Sequence, residues 1–150
     1  MSKNILLCGN PNVGKSSLYN ILTKSHEHTG NWTGKTVEIT SKAIKNTDYK
    51  LIDLPGIYSL SSLSDEEIVA RNTMYFTEYE KIIYVCDASN LEKNLNLLLQ
   101  ISEINKNIIL CFHHLNMLRC LYLMGMRTET EKGKVLLWMN FLISFFLLNF

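Results

Sequence analysis

The residues most capable of chemistry in this chain lie in one short stretch near its amino end. Residues 9–16 read Gly-Asn-Pro-Asn-Val-Gly-Lys-Ser, which is the spacing G-x-x-x-x-G-K-[ST], and they follow an apolar run at residues 5–8. Gly9 and Gly14 let the backbone curl so that its N–H groups point at phosphate oxygens. Lys15 places a cation beside the β- and γ-phosphates, and the Ser16 hydroxyl can ligate Mg²⁺. The stretch therefore predicts a phosphate loop that binds a nucleotide.

A second nucleotide element is predicted at residues 53–56, Asp-Leu-Pro-Gly, which follow another apolar run. An acid at the end of a strand that faces a phosphate loop is placed to hold Mg²⁺ through a water. Gly56 can turn its backbone N–H toward a γ-phosphate. Taken alone, D-x-P-G is a common turn. Its place about 40 residues after a phosphate loop, with a strand before it, favours the nucleotide role.

The polar stretch of residues 30–37 lies between these two elements and precedes a predicted strand. Thr36 stands where a nucleotide switch keeps a threonine that ligates Mg²⁺ only in the presence of the γ-phosphate. Thr33 is the competing residue, and we prefer Thr36 because it directly abuts the strand. Loss of the γ-phosphate would release this loop together with residues 53–56, so that nucleotide occupancy becomes a change of shape.

The elements that must position these residues alternate between short apolar runs and helical patterns. That alternation is typical of an α/β fold with a mostly parallel sheet and helices on both faces. Together with the two nucleotide motifs it predicts a P-loop NTPase fold of the Ras-like G-domain type. Ser64 and Glu67 form a capping-box pattern that should begin the second helix, and residues 45–48 predict a hairpin turn. The predicted strands are 4–8, 37–44, 49–53, 81–86 and 107–112, and the predicted helices are 15–24, 65–76 and 91–105.

Composition agrees with one domain that has an ample core. The chain has 150 residues, 47% of them hydrophobic, and a net charge of +1 that gives no reason to expect a nucleic-acid partner. The four cysteines show no paired spacing, and three of them lie in apolar, strand-like runs. We therefore predict reduced, buried thiols and no disulfide or zinc site. The cysteines are Cys8, Cys86, Cys111 and Cys120.

With these motifs in place, the chain resembles the N-terminal G domain of the bacterial ferrous iron transport protein B over about residues 3–112. In that family a cytosolic GTPase domain precedes a helical spacer and a membrane permease that passes Fe²⁺. The Gly-Asn-Trp segment at 30–32 and the Asn-Leu-Glu-x-Asn-Leu run at 90–95 separate it from other small GTPases. The segments that carry the resemblance are residues 9–20, 30–32, 36–38, 53–60, 65–67, 69–71 and 87–95.

The resemblance implies a site for GTP and GDP with Mg²⁺ held by Ser16, Thr36 and Asp53. It also implies Asn12 as a ligand of K⁺ beside the phosphates, a permease as partner, and a location at the cytoplasmic face of the bacterial cell membrane. Thr36 and Gly56 would be the switch residues. The implied nucleotide-binding residues are Gly9, Asn10, Pro11, Asn12, Val13, Gly14, Lys15, Ser16, Ser17, Gly34, Lys35, Thr36, Val37, Glu38, Asp53, Leu54, Pro55 and Gly56.

Two features of a GTPase are missing from the sequence. The position after D-x-x-G, where Ras-like proteins keep a Gln that orients water, is Ile57, so slow hydrolysis is expected. Guanine is read by an N-x-x-D motif after the fifth strand, whose Asp accepts from the base. Here residues 116–119 read Asn-Met-Leu-Arg, with Arg119 at the position of that Asp. Guanine specificity therefore depends on the resemblance.

Residues 113–150 diverge from the family pattern, and we expect the last strand and helix of the fold to be missing. Residues 135–150 are almost wholly apolar. As a helix they would span about 24 Å, less than the roughly 30 Å of a bilayer core. The tail can be read as a frameshift product, a weak membrane anchor or a core helix. The alternative function is a truncated, non-catalytic remnant that binds nucleotide weakly and transports nothing.

Overall fold

The structure, a computed structural model, describes residues 3–25, 37, 39–61, 63–105, 107–114 and 117–123, with the backbone alone from residue 113 onward. These residues form three helices, one short 3-10 turn (Ala88–Asn90) and six strands. In chain order the elements are β1 Lys3–Gly9, α1 Lys15–Thr23, β2 Thr40–Ala43, β3 Tyr49–Asp53, α2 Asp65–Phe76, β4 Lys81–Asp87, α3 Leu91–Ile104, β5 Ile108–His114 and β6 Met117–Leu123.

The strands form one mixed sheet in the order β2-β3-β1-β4-β5-β6. The four central strands are parallel, because β1 pairs with β3 and β4, and β4 pairs with β5. Their carboxyl ends therefore meet at one edge of the sheet, which is where open α/β sheets bind ligands. The register places Leu7 opposite Asp53 and Gly9 opposite Val85 at that edge. The predicted α/β fold with a mostly parallel sheet is confirmed.

Helices cover both faces of the sheet, as the sequence predicted. Side chains of β1 alternate between the two faces. Leu6 and Cys8 join the core that also contains Ala70 of α2 and Leu97 of α3. Ile5 and Leu7 join the second core, on the opposite face, which holds Leu18 and Tyr19 of α1.

Local signals in the sequence account for the ends of several elements. The capping box is confirmed, because the Glu67 N–H donates to Ser64 Oγ at 3.3 Å and α2 begins at Asp65. The hairpin turn at 45–48 is also confirmed, since β2 and β3 pair antiparallel and the Ile44 N–H donates to the Tyr49 carbonyl at 2.9 Å. Strand β2 is shorter than predicted: it begins at Thr40, and the described residues before it, Val37 and Ile39, lie outside the strand.

We expected the sheet to end at its fifth strand, and this prediction is wrong. Residues 117–123 form β6, which pairs antiparallel with β5 and places Arg119 opposite Phe112. The physical reason is that β5 leaves one edge free for pairing, and the next segment, Met-Leu-Arg-Cys-Leu-Tyr-Leu, is apolar enough to add to it. Residues 117–119, which were compared with the base-recognition motif N-x-x-D, are therefore part of strand β6.

Within the described residues, no helix is long and apolar enough to cross a bilayer. In the same part of the chain no three His, Cys, Asp or Glu side chains come together as a metal site would require. The apolar segment 135–150 lies outside the described residues, so its three interpretations stay predictions. The side chain of Cys120 also lies outside the described part of the chain. Cys8, Cys86 and Cys111 are buried, as predicted, and none of these three is in a disulfide.

Candidate nucleotide site

The predicted phosphate loop connects the end of β1 to the start of α1, at the sheet edge where the parallel strands end. Gly14 has a φ of 88° and Asn12 a φ of 64°, so the loop makes two left-handed turns. At Gly9 a Cβ atom would collide with the carbonyl oxygen of Val85 on β4. Only glycine lets the loop leave the sheet at this point without displacing a strand.

The amino end of α1 is open to an anion. Helix α1 begins at Lys15 after Gly14, and it has neither a side-chain cap nor an acidic residue in its first turn. The first N–H groups of a helix have no intrahelical partner, and the helix dipole is positive there. By contrast, Ser64 and three acids occupy the amino end of α2. The geometry of α1 suits a bound phosphate.

The two predicted nucleotide elements are joined by an ion pair. Lys15 Nζ lies 2.7 Å from Asp53 Oδ1, and the two side chains are only 12% and 14% exposed. Both residues stand at the carboxyl edge of the sheet, because Asp53 ends β3 and Lys15 begins α1. A lysine and an aspartate so close are placed to share one ligand, with the lysine on phosphate oxygens and the aspartate on their metal ion.

The segment Asp53 to Gly56 also packs directly against the loop. A Cβ atom on Gly56 would lie 2.9 Å from Pro11 Cα, so the two backbones are in close contact. The N–H of Ile57 donates to the Gly9 carbonyl at 3.3 Å. The Ile57 side chain is 1% exposed and lies in the core with α2 and α3. It faces the protein interior and therefore contributes nothing polar to the site.

Asn10 has a role that the sequence did not reveal. Its side chain is 3% exposed and points into the protein: Nδ2 donates to the Lys93 carbonyl at 3.0 Å, and Oδ1 lies 3.3 Å from the Tyr84 hydroxyl. These partners come from α3 and β4. What Asn10 can offer a phosphate is therefore its backbone, since its amide group is already engaged.

The other predicted site residues differ in exposure. Asn12 and Ser17 are exposed, Val13 and Leu54 are buried, and Ser16 and Pro55 are intermediate. Val37 is described and partly buried, but it lies in no strand or helix. Gly34, Lys35, Thr36 and Glu38, together with the alternative Thr33, lie outside the described residues. The magnesium role of Thr36 thus stays a prediction.

The thiols and the phenol beneath the loop are buried. Burial raises the pKa of the Cys8 thiol, which directly precedes Gly9, to about 12, although nearby Lys15 acts in the opposite direction. Burial also raises the pKa of the Tyr84 hydroxyl and of the Cys86 thiol. All three groups therefore stay protonated at neutral pH, and the ionic side chains at this place are Lys15 and Asp53.

Comparison with known proteins agrees with this arrangement. A family model described as "Ferrous iron transport protein B" matches residues 3–140. The chain belongs to this family. The match extends beyond residue 112, where the resemblance read from the motifs stops, and it does not favour the alternative of a non-catalytic remnant.

Relatives and solved structures of the same family are similar to the chain. The Fe(2+) transporter FeoB of Staphylococcus aureus (strain COL) is 40% identical over 130 residues, which are 87% of this chain and 19% of the relative. The NFeoB of S. thermophilus, solved with GDP.AlF4- and K+, is 44% identical with a TM-score of 0.67 over 73% of this chain and 43% of that one.

A third similar protein is the G domain of the T. maritima FeoB iron transporter. It is 41% identical with a TM-score of 0.64, over 73% of this chain and 70% of that one. The chain thus spans about a fifth of the length of the curated relatives it matches.

Proposed function

We propose that this chain is the GTP-binding switch domain of a ferrous iron transporter. It binds GTP with Mg²⁺ through the phosphate loop and residues 53–56, and hydrolyses it slowly. The observation that carries the proposal is the ion pair of Lys15 and Asp53, which brings the two predicted elements to one point of the sheet edge. The S. thermophilus relative solved with GDP.AlF4- supports a guanine nucleotide as ligand.

The experiment is a titration with mant-GTP, mant-GDP and mant-ATP in the presence of Mg²⁺. Saturable binding of the guanine nucleotides with a preference over mant-ATP is the expected result. Lys15→Ala should lose at least about tenfold in affinity, because a charge-assisted contact to phosphate disappears. The matched control is Lys45→Ala, which removes an exposed lysine in the hairpin turn. Preference for mant-ATP, or equal affinity of Lys15→Ala and the wild type, would refute the proposal.

Magnesium and potassium belong to the same proposal. Ser16, Asp53 and Thr36 are the proposed magnesium ligands, and oxygen donors of these types suit that ion. Asn12 is exposed on the loop and is the proposed potassium ligand, supported by the K+ in the S. thermophilus structure. With bound Mg²⁺ to neutralise phosphate charge, Lys15 would steady the phosphates and the amino end of α1 would orient them.

Potassium dependence can be tested by phosphate release in KCl and in NaCl. We expect faster release in KCl for the wild type and no difference between the salts for Asn12→Ala. Asn46→Ala is the matched control, because Asn46 is also an exposed asparagine with positive φ, at 60°, but lies in the β2–β3 turn. An Asn12→Ala variant that still responds to KCl would exclude this ligand.

The proposed biological role is regulation of Fe²⁺ uptake by a membrane permease, with the domain at the cytoplasmic face of the cell membrane. Support comes from the Fe(2+) transporters of which similar segments are a part. Iron would be the cargo of the permease. Uptake of radioactive Fe²⁺ by cells that carry Lys15→Ala in the native gene should fall, and unchanged uptake would argue against regulation by this site.

A further inference from the structure

A buried polar cluster connects the phosphate loop to α3 beneath the nucleotide site. It consists of Asn10 on the loop, Tyr84 on β4 and Asn94 on α3, which are 3%, 0% and 4% exposed. Tyr84 pairs with Cys8 in the sheet, and its hydroxyl thus lies under the residue that follows Gly9. The Tyr84 ring packs in the apolar core, but its hydroxyl and the two asparagine side chains are polar groups in a buried place, which costs free energy unless they are hydrogen-bonded.

Two hydrogen bonds of the cluster run from the loop and the sheet to the first turn of α3. Asn10 Nδ2 donates to the Lys93 carbonyl at 3.0 Å, and the Tyr84 hydroxyl donates to the Asn94 carbonyl at 2.7 Å. Asn94 Nδ2 donates in turn to the Asn90 carbonyl at 2.8 Å. A hydroxyl has one proton, so Tyr84 serves the Asn94 carbonyl first, because its contact with Asn10 Oδ1 is longer, at 3.3 Å.

The hydrogen bond from Asn10 Nδ2 to the Lys93 carbonyl joins the loop to α3. Asn10 directly follows Gly9, and after it the chain turns through Asn12 and Gly14 with positive φ. Loop amides bind a phosphate well only if they already point at it, because ordering them on binding costs free energy. An anchor at the second residue of the loop limits how far those amides can rotate. Asn10 is that anchor.

We propose that Asn10 is a positioning residue whose side chain fastens the phosphate loop to α3 and thereby sets nucleotide affinity without touching the nucleotide. This inference rests on the proposed function. A backbone N–H directed at a phosphate does not require an asparagine side chain at position 10, and the anchoring hydrogen bond to α3 explains that side chain. The competing explanation is that the amide only stabilises the fold, and the two explanations predict different measurements.

The experiment compares Asn10→Ala with Asn4→Ala, both measured for mant-GDP affinity, mant-GDP dissociation rate and melting temperature. Asn4 is the matched control, because its Nδ2 also donates to a backbone carbonyl, that of Glu78, at 2.9 Å. It lies near the other end of β1. Asn10→Ala is expected to bind mant-GDP about tenfold more weakly, through faster dissociation, at temperatures where both variants are folded.

Tyr84→Phe is the second variant, since it keeps the ring and removes only the hydroxyl. Its effect on affinity should be in the same direction as that of Asn10→Ala but smaller, because the Asn10 bond to Lys93 remains. If Asn10→Ala and Asn4→Ala lose the same melting temperature and both bind mant-GDP like the wild type, Asn10 is purely structural and the inference is wrong. If the wild type itself binds no nucleotide, the proposed function fails first and the inference with it.

Discussion

At the scale of single residues, close contacts decide the shape of the site. Gly9 and Gly56 are held where any side chain would meet backbone atoms, of Val85 and of Pro11 respectively. Glycine at position 9 lets the loop pass close to β4, and glycine at position 56 lets residues 53–56 pack against the loop that carries Lys15. Residue type thus sets the charges of Lys15 and Asp53, and the close packing of their two segments sets the distance between them.

Gly56→Ala is predicted to push residues 53–56 away from the loop. The new Cβ would lie 2.9 Å from Pro11 Cα, and backbone atoms cannot yield as a flexible side chain can. We expect a loss of about 1–3 kcal/mol in the free energy of unfolding and weaker binding of mant-GTP. Urea unfolding and fluorescence titration measure these two effects. The control is Ser61→Ala, an exposed position in the same loop. A fully stable Gly56→Ala variant with normal affinity would show that the contact can relax.

At the scale of elements, α3 contacts the phosphate loop and the segment that follows residues 53–56. The first turn of α3 accepts a hydrogen bond from Asn10. In the middle of α3, Gln100 Oε1 accepts from the Leu60 N–H at 2.6 Å. Arg71 of α2 donates to the Leu60 carbonyl at 3.1 Å. Both backbone groups of Leu60 are therefore bound by side chains. A cavity of about 630 Å³ between α2 and α3 is lined by Arg71 and Gln100 among others.

Gln100→Ala is predicted to loosen the segment around Leu60. The Leu60 N–H would lose its partner in a partly buried place, which costs about 1–3 kcal/mol. Hydrogen exchange should become faster for the amides of residues 59–61 and stay unchanged in β1. The matched control is Lys93→Ala on the same helix, where the side chain is exposed and only the backbone carbonyl is used. Equal protection in both variants would contradict this function of Gln100.

At the scale of the whole molecule, apolar cores cover both faces of the sheet, and the thiols buried in them respond to alkaline pH. Burial raises the pKa of Cys8 from its ordinary 9.0 to about 12, and that of Cys86 also rises. In the unfolded chain these thiols lose their protons at the ordinary pKa. In the folded chain they keep them. Alkaline pH therefore favours the unfolded state.

Below pH 9 the two thiols are predicted to leave the free energy of unfolding unchanged. As the pH rises from 9 toward 12, they are predicted to lower it. Each thiol can contribute up to about 1.4 kcal/mol per pH unit in that window. Urea unfolding at several values between pH 7 and pH 10.5 measures the slope. Cys8→Ala should have a smaller slope than the wild type. An equal slope in both proteins would show that the Cys8 thiol already ionises in the folded state.

Much of the fold and part of the site followed from the sequence. The strands near residues 49–53 and 81–86, helix α2 and the hairpin turn were predicted because their signals are local: apolar runs, a capping box and turn residues. Strand β6 was missed, because an apolar segment becomes a strand only when a neighbouring edge is free to pair with it. The sequence also did not show which residues of the phosphate loop are exposed and which are buried, because the motif G-x-x-x-x-G-K-[ST] contains both kinds.

The sequence by itself determined the chemistry available to this protein: a loop whose glycines expose amides, a lysine, a hydroxyl and an aspartate at a strand end. These depend on residue types within a few positions of each other. Only the tertiary structure decided which of them meet. Lys15 and Asp53, or Asn10 and Lys93, are far apart along the chain, and they are brought together by the parallel register of β1 with β3 and β4. That register depends on packing both faces of the sheet at once, which no local pattern encodes.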